Sequence, residues 1–156
     1  MISFLRGGVA LLALAGAAAG PARATELCGW LIETVEADGL HQFDLWLQAD
    51  ADTDVFYRMT GDGWRSEGVR AYSPGSGTYS LHAHKAAKVW GFGTSLNPPG
   101  ELDIVAEIHA PPASVFSEDE TPLLATFAFR RHVPEDEGPP PKAFGARQCV
   151  TAAAGR

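Results

Sequence analysis

The stretch that decides the fold is Trp30-Leu31-Ile32-Glu33-Thr34-Val35-Glu36-Ala37-Asp38-Gly39-Leu40-His41-Gln42-Phe43-Asp44-Leu45-Trp46-Leu47-Gln48. Trp30, Ile32 and Thr34 alternate with Leu31, Glu33 and Val35. Further on, Phe43, Leu45 and Leu47 alternate with Asp44, Trp46 and Gln48. A period of two over a short run is the signature of a strand with one face turned inward. Between the two runs, Ala37-Asp38-Gly39 carries turn chemistry, because glycine reaches a positive φ without a Cβ clash. The stretch therefore reads as a β-hairpin.

The same grammar continues along the chain. Runs at Asp54–Met59, Gly68–Tyr72, Thr78–His84, Val89–Phe92, Leu102–His109 and Leu123–His132 are separated by segments such as Thr60-Gly61-Asp62-Gly63 and Ser73-Pro74-Gly75-Ser76-Gly77. A last short run lies near Ala146–Thr151. Helical periodicity is poor; the one competitor, Leu81–Val89, contains His-Ala-His-Lys-Ala-Ala-Lys and reads better as a strand followed by a turn. Eight or nine short strands with regular turn signals predict an all-β fold, an antiparallel β-sandwich or small barrel. The expected organisation is a β-domain over 25–133, a Pro-rich linker over 134–142 containing Glu135–Pro141, and a C-terminal segment over 143–156.

Residues 1–24 read as a signal peptide. A short n-region with Arg6 precedes an apolar run, Gly7–Gly20, and Ala22-Arg23-Ala24 suits cleavage after Ala24. The run is too short for a stable membrane anchor, which needs roughly 20 apolar residues. Periplasmic or secreted localisation follows as an expectation. The 156-residue chain has a formal charge of −7, and loss of Arg6 and Arg23 with the leader removes no acid. An acidic chain is a poor partner for phosphate backbones, so no nucleic acid is expected. A basic protein partner suits the charge better.

The chain has two cysteines, Cys28 and Cys149, near the two ends of the mature sequence. In an oxidising compartment two cysteines most often pair, so a disulfide tying the first strand to the last segment is expected. Neither belongs to a CxxC pattern or lies next to a histidine.

Several side chains are candidates for function. His82-x-His84 and Glu107-x-His109 each place two ligand-type side chains on one face of a strand. If the strands are neighbours, His82, His84, Glu107 and His109 form a zinc or copper site; the alternative is a polar stripe on a solvated sheet. Asp50-Ala51-Asp52-Thr53-Asp54 opens like a calcium loop but carries Val55 where glycine is needed and Gly61 where glutamate is needed. Trp64, beside Arg65 in a glycine-rich loop, and Phe116, between prolines and an acidic run, are candidate contact residues for a partner. For Trp64 the alternative is an indole folded back onto the core. No GxSxG elbow, HExxH motif or phosphate-cradling loop is present. The expected function is an exported, non-catalytic binding or accessory protein without a cofactor; a periplasmic metal-binding protein is the alternative.

The opening Cys28-Gly29-Trp30, the segment Gly91-Phe92-Gly93 and the late Cys149 resemble an uncharacterised family of small secreted bacterial proteins. That family carries further cysteines after its Gly-aromatic-Gly segment, where this chain has Thr94 and Leu96. The resemblance implies secretion and no particular activity.

Overall fold

The computed structural model describes residues 25–96, 99–112, 121–135 and 145–152. The expected leader, most of the Pro-rich linker and Phe116 lie outside these residues. Ten strands follow in order: β1 (Thr25–Val35), β2 (Leu40–Ala49), β3 (Thr53–Met59), β4 (Gly63–Ser66), β5 (Val69–Ala71), β6 (Ser76–Leu81), β7 (Ala87–Ser95), β8 (Gly100–His109), β9 (Leu123–Val133) and β10 (Gln148–Ala152). No helix long and apolar enough to cross a membrane occurs among the described residues.

The hairpin read from the sequence is the seed of a four-stranded sheet ordered β10-β1-β2-β7. Its turn is closed by Gly39 N–H donating to Glu36 O at 3.0 Å and by Glu36 N–H donating to Leu40 O at 2.8 Å. Gly39 sits at φ +83°, a conformation that costs glycine little. The second sheet has six strands, β5-β4-β8-β3-β6, with β9 on the other side of β8. β8 is its hub. One edge pairs with β9 from Gly100 to His109, and the other is shared by β4 at Glu101–Asp103 and by β3 at Ala106–His109. Every ladder is antiparallel. The fold class expected from the sequence is the one observed, with ten strands among the described residues where eight or nine are expected.

The alternation decides which side chains meet. Leu31, Phe43, Leu45 and Leu47 from the first sheet join Val55, Ile104, Ala106, Ile108, Phe127 and Phe129 from the second in one core. At full burial each large apolar side chain contributes roughly 1.5–3 kcal/mol. Cys28 and Cys149 lie directly opposite each other on β1 and β10 and are disulfide-bonded across 121 residues of sequence. The staple holds the edge strand β10 onto the sheet. Disulfides of this kind persist in oxidising compartments.

The short strand β4 corrects one expectation. Gly61–Arg65 reads as a loop from its glycines, yet Gly63–Ser66 pairs with both β5 and β8. Trp64 is 1% exposed and belongs to the core. Its indole lies against Gly100, where a Cβ would run into the ring. The side chain is therefore not offered to a partner. An indole with this much apolar surface gains more by filling the space beside β8 than by standing in water.

Candidate functional site

The four expected metal ligands do not converge. β6 ends at Leu81, so His82 and His84 lie in the turn that follows it, and the same-face rule for alternate strand residues does not apply to them. Glu107 and His109 do lie on β8, but β3 separates β8 from β6. Two strand spacings, roughly 10 Å, stand between the pairs. Each group has its own local partners. Glu107 accepts hydrogen bonds from Arg58 Nε and Nη2 at 3.1 and 2.9 Å. That guanidinium is the main reason its carboxyl is held below the ordinary glutamate range, with His109 adding a smaller effect in the same direction. His109 is directed by the carbonyl of Thr121, 2.9 Å from its Nδ1. Among the described residues, the three side chains that lie close enough to share an ion are Glu26, Cys28 and Cys149. The two sulfurs of that group are bonded to each other, which removes their thiolates as ligands.

The acidic turn resembling a calcium loop is a set of clamps. Asp50 Oδ1 accepts from Glu26 N–H at 2.9 Å, Asp52 Oδ1 from Ala83 N–H at 2.8 Å, and Asp54 Oδ1 from Ser80 Oγ–H at 2.6 Å. Three successive carboxylates thus fasten β1, the turn after β6, and β6 itself. Arg65, the other described contact candidate, is exposed and lies 3.7 Å from Asp62. Arg70 reaches the same carboxylate at 2.6 Å.

A different surface gathers the chemistry. On β2, Leu45 and Leu47 point inward, so Trp46 stands on the outer face of the four-stranded sheet. Directly opposite it on β1 is Trp30, whose ring carries the guanidinium of Arg147 at 5.1 Å from the centroid. On the other side of Trp46, the ladder to β7 is irregular: Leu45 opposes Trp90 while Trp46 opposes Lys88, so Val89 is an extra residue. Bulges of this kind re-aim side chains and recur beside functional sites.

Trp46 lines an open depression of about 650 Å³ together with Tyr79 and Ser80 of β6, His82 and Lys85 of the following turn, and Lys88 of β7. This lies within the roughly 300–1,000 Å³ usual for ligand sites. Its lining contains no acidic residue, although the chain has 19 acids against 12 lysines and arginines. Lys88 Nζ is paired with Asp44 at 2.8 Å, and Gln42 Nε2 donates to the same oxygen at 3.0 Å.

The turn carrying His82 and Lys85 is tightly held. His84 N–H donates to Ala49 O at 2.8 Å, Lys85 N–H to His82 O at 3.0 Å, and the Gln48 amide to His84 O. His84 takes a left-handed conformation, φ +60°, uncommon for a non-glycine residue though one that histidine adopts more readily than most. The sequence draws attention to this segment for its histidines, whereas its lysines are the better signal. The chain has three lysines, and Lys85 and Lys88 fall within four residues of each other.

One buried polar cluster lies elsewhere. Glu33 is on the inward face of β1 and 2% exposed. It accepts from Arg131 Nη2 of β9 at 3.0 and 2.9 Å, and His41 Nδ1 of β2 is 2.8 Å from its Oε1. The cluster joins the two sheets, so its first role is in the fold.

No family model, curated protein or solved structure matches the chain.

Proposed function

We propose that this is an exported, non-catalytic binding protein that seats its ligand over Trp46, in the depression between β6 and the start of β7. The observation that carries this reading is the convergence on one surface of an outward-facing indole, a half-exposed phenol and two of the chain's three lysines. The disulfide and the leader-like residues 1–24 support export to the periplasm or beyond. Ion pairing of Glu107 with Arg58, and the burial of Glu33 in a bridge between sheets, give these carboxylates structural work rather than acid–base work. The exposed Lys85 on this surface favours an anionic group on the ligand, where net charge alone suggests a basic partner.

Two measurements test the proposal. Expression of the full chain followed by N-terminal sequencing of the periplasmic fraction is expected to find Thr25 first. Isothermal titration of that protein with size-matched oligosaccharides and oligopeptides is expected to show binding by at least one of them, lost in Tyr79→Ala with folding intact. Cytoplasmic retention refutes export. Binding unaffected by Tyr79→Ala and by Lys85→Ala refutes the site.

A further inference from the structure

We infer that the ligand seated over Trp46 is an acidic saccharide, a short chain of sugar rings bearing carboxylates; this rests on the binding role proposed above and names its substrate class. The first ground is charge. The depression is lined by Lys85, Lys88 and His82; Asp52 lies 3.9 Å from His82 Nδ1, so Lys85 carries the charge argument. The Lys88 ammonium is already compensated by Asp44 at 2.8 Å. Among the described residues no ion pair or hydrogen bond engages the Lys85 ammonium, and its backbone is fixed by the bond from its N–H to His82 O. The backbone of the turn is fixed while the exposed lysine side chain stays free to reach an anion, its ordering being part of the cost of binding.

The second ground is shape and surface. The indole of Trp46 and the phenol of Tyr79, 37% exposed, offer apolar surface against which the C–H faces of a pyranose can lie. Ser80 Oγ donates to Asp54 and keeps its lone pairs as acceptors for a sugar hydroxyl. Beneath Trp46, Leu45 and Leu47 are buried in the core. A flat, hydroxylated, anionic molecule uses what this surface presents. An acidic peptide would use the charge and leave the aromatic surface poorly covered.

The test is isothermal titration of the full processed protein with trigalacturonate, with neutral maltotriose and with pentaglutamate, at low and high sodium chloride. Amide chemical shifts of residues 78–88 locate the binding. Trigalacturonate is expected to bind about tenfold more tightly than maltotriose, a difference of about 1.4 kcal/mol. Lys85→Ala is expected to remove that advantage and Lys85→Arg to keep it. High salt is expected to weaken trigalacturonate and leave maltotriose unchanged. Equal affinity for the two sugars, or indifference to Lys85, overturns the acidic class while leaving a ligand site at Trp46 in place. Tighter binding of pentaglutamate overturns the saccharide assignment. Absence of heat and of shifts at residues 78–88 with all three probes overturns this inference, and the Tyr79→Ala comparison across the wider set of ligands then decides the site separately.

Discussion

Replacing Glu33 by glutamine is the most direct probe of how the two sheets are held together. The carboxylate is buried and receives three close contacts, two from Arg131 Nη2 and one from His41. A glutamine amide in its place would keep the volume and remove the charge, leaving a guanidinium with a side-chain exposure of only 14% beside a neutral group. Breaking one partner of a buried pair costs about 3–5 kcal/mol, because the remaining charge stays desolvated. For a domain of this size a loss of 1 kcal/mol lowers Tm by about 4 °C, so a fall of about 12–20 °C is expected. The assay is urea and thermal unfolding of Glu33→Gln, Arg131→Met and the double variant. The double variant is expected to cost clearly less than the sum of the singles, since removing both charges strands neither. A Glu33→Gln cost under about 1 kcal/mol, or strict additivity in the cycle, refutes the view that this bridge couples β1 to β9.

Three further expectations follow from the geometry. Reduction of the Cys28–Cys149 bond releases a loop of 121 residues, for which the chain-entropy estimate is about 5 kcal/mol; the urea midpoint of the oxidised and reduced protein measures it, and a difference under about 1 kcal/mol contradicts the staple. Trp64→Ala is expected to cost about 3–5 kcal/mol through loss of core packing, whereas Arg65→Ala stays within about 0.5 kcal/mol; similar losses at the two positions would undo the placement of Trp64 in the core. Glu107 has its folded-state carboxyl held below the ordinary value, chiefly by Arg58. Its contribution to stability is therefore complete above the unfolded value and is lost as pH falls through the lower folded one. In Arg58→Gln an NMR titration of the Glu107 carboxyl is expected to move upward toward the ordinary range, and an unmoved titration refutes the assignment.

Much of the architecture is legible in local sequence because a half-buried strand needs only a period of two, and a tight turn needs only a few residues with the right φ. The hairpin of β1 and β2 satisfies both within one short stretch. The end-to-end disulfide is legible for another reason: with two cysteines there is one possible intramolecular pairing. The site is harder to read. His82-x-His84 has strand spacing, but whether two alternate residues share a face depends on where β6 stops, and it stops one residue earlier. Trp64 follows three loop-forming residues, and the partner that makes it a core strand, β8, lies far along the chain. Trp46 reads as one more strand aromatic until Tyr79 and Lys85 are brought beside it.

The sequence by itself determined the all-β class, the staple between the ends, the leader-like start and the acidic balance, because each depends on composition or on neighbours a few residues apart. Only the tertiary structure decided that β3 intervenes between the histidine pairs, that Glu33 meets Arg131 across 98 positions, and that Tyr79, Lys85 and Lys88 lie around Trp46. These are questions of which strands lie side by side, and strand order is fixed by long-range burial of one common core, which no short stretch of sequence encodes.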